Sequence, residues 1–226
     1  MKYPNSRLST LIRSFCLPVA ILVSLVQAKA DQNLSLKLEI GRALDKGVTW
    51  LNGEQNASAG NWGEPEYPAL TGLALRATLG HPEPAVVGKF AKNQKAGFDF
   101  ILTKVQSDGG IYGKGLASYN TSICMMALLQ SKDAEFEEVI RKARKFLINQ
   151  QSDFDKKGEL DNTFDGGIGY GSRWAHSDLS NTHLAMEALF YAKRSLKPKE
   201  GDALDLDWDA AIAFVQKCQN LPGNIH

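Results

Sequence analysis

Apolar residues recur at helical spacing along most of this chain. Ile40, Ala43, Leu44, Gly47, Val48 and Leu51 follow i, i+3, i+4 and i+7 steps, and Val139, Ala143, Phe146 and Leu147 do the same later. A second kind of stretch, Tyr67 to Leu79, Ala117 to Gln130 and Leu179 to Ser195, is richer in small and apolar residues. These align on Thr71, Thr121 and Thr182, followed by Ala77, Ala127 and Ala188. Turn formers separate the stretches: Gly80-His81-Pro82, Asp108-Gly109-Gly110, and Pro198 with Gly201. Leu34, Leu36, Leu38 and Ile40 alternate briefly but run straight into the first helical stretch, so the pattern predicts an all-α chain.

The helical stretches are copies of one another. Lys46-Gly47-Val48-Thr49-Trp50-Leu51 leads to Gln55, then Gly60 and Trp62. Lys95-Ala96, Phe100 and Leu102 lead to Gln106, Gly110 and Tyr112. Lys142-Ala143, Phe146 and Leu147 lead to Gln151, then Gly167 and Tyr170 after an acidic insertion, and Ala210-Ala211, Phe214 and Val215 lead to Gln219. The unit is a helical hairpin, and one hairpin cannot bury its own apolar face, so neighbours must stack. The charged first helices (Glu137, Glu138, Arg141, Lys145) suit an outer layer, and the second helices an inner one.

Residues 1–30 read as an export signal. Lys2, Arg7 and Arg13 precede an apolar run from Leu17 to Val26, and Ala28-Lys29-Ala30 supplies a cleavage pattern. Taking that leader's four basic residues from 26 leaves 22 Lys+Arg against 25 Asp+Glu, a net charge of −3. No basic stripe remains for nucleic acid, and no second run is long enough to cross a membrane. The expected setting is periplasmic or secreted. Cys124, in an apolar run, reads as a buried thiol rather than half of a disulfide with Cys218.

The run Lys46-Gly47-x-x-Trp50-Leu51-x3-Gln55-x4-Gly60-x-Trp62 resembles the glutamine–tryptophan motif of squalene and oxidosqualene cyclases. Protein prenyltransferase β subunits and complement thioester domains share the hairpin repeat. The resemblance covers residues 36 to 219 and implies an α/α toroid over 31–226. Three hairpins plus the first helix of a fourth would form a partial ring, incomplete at its C-terminus. It also implies structural roles for Trp50, Gln55, Trp62, Gln106, Phe146, Gln151 and Gln219, the glutamines satisfying helix ends.

The catalytic residues of those families do not carry over. Where a cyclase has Asp-x-Asp-Asp-Thr, this chain has Asp178-Leu179-Ser180-Asn181-Thr182, and neither Ser nor Asn supplies a strong acid. Asn181 also stands where a prenyltransferase places its zinc histidine, and His183 is isolated. Asp153-x-Asp155-x-x-Gly158 opens like a calcium loop, but Lys157 and Phe164 occupy ligand positions. Asp205, Asp207 and Asp209 open an outer helix and read as caps.

No cofactor or metal is implied. The remaining polar and aromatic set at the inner-helix mouths is Tyr119, Asn120, Tyr170, His176, Asp178 and Asn181, with Tyr67, Arg173 and Trp174 nearby. These suit a small-molecule, lipid or glycan ligand, with helix capping as the competing role for Asn120, Asp178 and Asn181. The expected function is ligand or partner binding without cyclase chemistry. A glycan lyase or hydrolase using Asp178, His176 and Tyr170, or an atypical isoprenoid-processing enzyme, are the alternatives.

Overall fold

The computed structural model describes residues 33–171, 176–199 and 203–219. The leader lies outside them, as do Arg173 and Trp174. Helix α1 covers 33–53, including the alternating leucines. It is followed by α2 (Pro68–Leu79), α3 (Pro84–Lys89), α4 (Ala91–Leu102), α5 (Ala117–Ser131), α6 (Glu137–Ile148), α7 (Leu179–Ser195) and α8 (Trp208–Lys217). A 3-10 turn, Ala134–Phe136, precedes α6. Among the described residues there is no strand; Val105 pairs with Ile111 and Gln151 with Ile168 in isolated antiparallel bridges. The protein is all-α.

The chain divides between Thr49 and Trp50 into two units. Of the described residues, the first unit holds 33–49 of α1, and the second holds the end of α1 and every later helix. Within the second unit α2 packs on α5 and α5 on α7, forming one layer. Helix α4 packs on α2, α6 on α5 and α7, and α8 on α7, forming the other. Short α3 rests on α4.

The local causes are ordinary. Pro68 and Pro84 open α2 and α3, where a missing N–H costs nothing. Asp178 and Asp207 cap α7 and α8 through Asn181 N and Ala210 N. Helix α6 begins with Glu137 and Glu138, carries Lys145 in its last turn, and buries Ile140, Ala143, Phe146 and Leu147 on one face. Helix α5 lies between the others and is buried almost all round, Ile123, Cys124, Met125 and Leu128 included. Cys124 and Cys218 are both free thiols, and burial pushes the Cys124 thiol up.

Hydrogen bonds define a repeat whose register differs from the one read along the chain. Thr71, Thr121 and Thr182, all fully buried, accept through Oγ1 from the backbone N–H of Trp62 (3.0 Å), Ile111 (2.8 Å) and Ile168 (2.8 Å). The position of Trp62 is therefore taken by Ile111 and Ile168, not by Tyr112 and Tyr170. Two residues before each stands a glycine with left-handed backbone: Gly60, Gly109 and Gly166, rather than Gly110 and Gly167. A Cβ on Gly60 would stand 2.5 Å from the Ala96 carbonyl oxygen of α4, and one on Gly109 2.7 Å from the Lys142 oxygen of α6. One on Gly166 would strike the Ala210 carbonyl of α8. Each inter-helix loop thus presses bare backbone against a helix of the other layer, α4, α6 or α8.

The same register explains the glutamines. Gln55 Nε2 donates to Gly60 O (2.7 Å) and across to Asn93 O of α4 (2.9 Å). Gln151 repeats this with Gly166 O (3.0 Å) and Asp207 O (2.8 Å), and its Oε1 accepts from Asp207 N (2.9 Å). Gln106 does not take this place. Its N–H donates to Gly110 O, as those of Asn56 and Ser152 do to Asn61 O and Gly167 O, so Val105 is the counterpart of Gln55. Gln106 Nε2 stays in its own loop, on Tyr112 O (2.7 Å) and Lys104 O (3.2 Å). Val105 and Val139 pack onto the core instead, replacing an amide link by an apolar one. Gln219 is in register with Gln55 and Gln151.

Trp50 shares the register of Phe100 and Phe146, yet it is 66% exposed whereas they are buried. Phe146 is covered by Gly110 and Tyr112 of the preceding loop, with ring centroids 5.9 Å apart for the Tyr112 pair. No loop preceding Trp50 in this way is among the described residues.

Ion pairs tie the segment before α8 to this frame. Asp205 meets Arg144 Nη2 at 3.0 Å and Lys193 Nζ at 2.7 Å, so it is not a cap. Burial pushes its carboxyl up, but the bonds from Lys193, Trp208 and the Leu206 N–H outweigh that and hold it low. Lys199 (2.9 Å) and Arg141 (2.7 Å) hold the Glu137 carboxyl down to about 2. Carboxyls lowered by folding stabilise above their ordinary range, and that contribution is lost as pH falls through the folded value. Thermal melts should therefore be level near neutrality and fall progressively from about pH 5 to pH 2. Glu137→Gln and Asp205→Asn should each flatten part of that slope.

Candidate functional site

Helices α2, α5 and α7 bring two sets of side chains together, one at each end. At their N-terminal ends stand the residues singled out from the sequence. Asn120 is fully buried: its Oδ1 accepts from Ala69 N of α2 (3.0 Å), and its Nδ2 donates to Leu116 O (3.0 Å) and Gly115 O (3.3 Å). It joins two helices. Asp178 Oδ1 accepts from the backbone N–H of Asn181 (2.8 Å) and from its Nδ2 (2.9 Å). That carboxylate holds the start of its own helix.

Asn181 matches Asn120 in register but does not reproduce its link. Among the described residues its Oδ1 is buried with no partner, as is Ser118 Oγ on α5. Tyr170 is half-buried and offers its carbonyl to Ser118 N (3.3 Å), and Tyr119 is half-buried in the first turn of α5. Tyr67 is 36% exposed ahead of α2. His176 is exposed, its ring 6.1 Å from that of Phe164 in the acidic loop. This end is organised by capping and helix-to-helix hydrogen bonds.

The acidic loop uses its carboxylates locally. Asp153 accepts from Gly158 N, Asp155 from Asn162 Nδ2 (2.8 Å), and buried Asp165 from Phe154 N (2.7 Å) and Asn162 N (2.8 Å). Burial raises the Asp165 carboxyl, but these N–H donors and Lys217 outweigh it and leave it low. Among the described residues no three His, Cys, Asp or Glu side chains converge as metal ligands.

The opposite end holds an open cavity of about 350 Å³, unforeseen from the sequence. Met126 and Leu129 of α5 form its floor, with Arg76, Gln130, Glu187 and Tyr191 around it. Arg76 of α2 reaches over α5 to Glu187 of α7, Nη2 to Oε1 at 3.3 Å. Arg76, Met126 and Glu187 each lie five residues after the aligned threonines. A cation, a thioether and an anion at one repeat position was the available signal.

No protein-family model, curated protein or solved structure matches the chain. Among the described residues no helix is long and apolar enough to cross a membrane.

Proposed function

We propose that this chain is an exported repeat protein of the α/α-toroid type that binds a ligand on its inner-helix layer and runs no cyclase chemistry. One observation carries the reading: Asp178, the first aspartate of the run that resembles the cyclase motif, spends its Oδ1 on two donors of Asn181, and Ser180 and Asn181 stand where the other two acids would be. An oxygen committed to the first turn of its own helix serves as a cap, and neither serine nor asparagine supplies the strong acid that alkene protonation demands. Repetition of the glycine–threonine junction supports the toroid type, since each copy sets the next outer helix by the same contact. Polar groups at the N-terminal end secure helices, and the cavity at the other end leaves charged and aromatic groups open.

A neutral isostere separates the roles of Asp178. Asp178→Asn keeps an acceptor for Asn181 N and should leave the melting temperature nearly unchanged, while Asp178→Ala should lose about 1 kcal/mol. The pure protein, incubated with squalene and separately with a polysaccharide panel, should return both unaltered by product analysis. Conversion of squalene, or glycan cleavage abolished by Asp178→Asn, would overturn the proposal.

A further inference from the structure

We infer that the cavity at the C-terminal ends of α2, α5 and α7 binds a small amphiphilic carboxylate, with Arg76 as its anchor. The inference rests on the binding reading above and assigns it a place and a ligand class.

Charge sets the sign of the ligand. Two cations, Arg76 and Lys132, face one anion, Glu187. Among the described residues, the guanidinium of Arg76 makes one hydrogen bond, the 3.3 Å contact to a single Glu187 oxygen. Both side chains remain partly open, at 27% and 30%. A guanidinium presents a fork of N–H donors matched to two carboxylate oxygens, so this long, single contact leaves most of its donor capacity for another carboxylate.

Helix C-termini ordinarily repel anions through their free carbonyls. Here the carbonyls of two lining residues are already engaged. Arg76 O accepts from Gly80 N (2.9 Å) and from Gln130 Nε2 (3.2 Å), and Leu129 O accepts from Lys132 N (3.3 Å). The cations therefore dominate the local field.

Shape and polarity set the rest. Met126 and Leu129 offer an apolar floor, and Tyr191, 47% exposed, a wall that is apolar on its face and polar at its tip. A cavity of 350 Å³ holds on the order of ten water-sized groups. That suits a carboxylate with a short hydrocarbon body. Octanoate is the appropriate probe, with octylammonium and octan-1-ol as counterparts of opposite and zero charge.

Titrations of the full chain, monitored by calorimetry and by shifts of the Met126 and Tyr191 resonances, test the inference. Octanoate should shift both resonances and bind at least tenfold more tightly than octylammonium. Arg76→Gln should weaken octanoate at least tenfold and abolish the discrimination. Glu187→Gln should tighten it, because the competing carboxylate is gone; loss of a purely structural ion pair would not do so. Equal binding of the three probes, no shift at Met126 and Tyr191, or unchanged octanoate affinity in Arg76→Gln would overturn the inference. Should Arg76→Gln fail to fold, Glu187→Gln decides alone, and no tightening overturns it. Failure of octanoate would leave the binding reading standing, whereas chemical conversion of a ligand would end that reading instead.

Discussion

Gly109→Ala is expected to destabilise the protein by about 3 kcal/mol or more, and Gly115→Ala, in the same loop, by only about 1–2 kcal/mol. Both glycines have left-handed backbone, φ 91° and 67°, so a methyl group strains each alike. Their surroundings differ. A Cβ at Gly115 meets nothing within 4 Å, whereas at Gly109 it stands 2.7 Å from a backbone oxygen of Lys142. A side chain could turn aside, but a helix carbonyl cannot, so α6 must lift from the loop and expose its buried face. For a domain near 200 residues, this corresponds to a melting temperature lower by about 6–12 °C for Gly109→Ala and a few degrees for Gly115→Ala. Scanning calorimetry on the two variants checks it; equal losses would show that the close approach of loop and helix is not what holds the repeat.

Thr121→Val should cost about 2–3 kcal/mol, although it replaces a hydroxyl by a methyl of nearly the same size. Thr121 Oγ1 is the acceptor for the Ile111 N–H at 2.8 Å, and both residues are completely buried. Valine leaves that N–H with neither partner nor water, and the desolvation cost of an orphaned backbone donor is what the experiment measures. Thr121→Ser keeps the acceptor and loses only a methyl group, about 1 kcal/mol. Urea unfolding of the three proteins should therefore rank wild type, serine, valine. Thr71→Val and Thr182→Val should behave alike, since each serves the same junction with Trp62 and Ile168. A valine variant as stable as the serine one would remove the threonines from the junction.

These junctions show how far periodicity specifies register. The threonines aligned correctly because each lies inside a long amphipathic helix, where periodicity leaves little freedom of register. The loop residues did not. Gln106 and the pair Gly110 and Tyr112 match the motif by residue type, but the loops differ in length, and a glutamine one residue away looks identical along the chain. Only the hydrogen bonds separate Val105 from Gln106 and Ile111 from Tyr112. Size complementarity is the same kind of information: Trp62 lies against Gly97, where a Cβ would meet its ring at 2.9 Å, while by register the smaller Ile111 and Ile168 pair with Ala143 and Ala211.

The candidate site divides in the same way. Capping by Asp178 follows from its place before an apolar helix, a local relation that needs no tertiary contact. Asn120 reads as a cap by residue type, yet it lies inside α5 and its Oδ1 accepts from Ala69 N on a neighbouring helix, which no local rule specifies. The cavity below Arg76 depends on three helices distant in sequence meeting at one level. Sequence by itself determined helix type, layer preference and which threonines recur, because these depend on periodicity. Tertiary structure alone decided loop register, the bridge from Arg76 to Glu187 and the cavity under it, because these depend on which helices lie side by side.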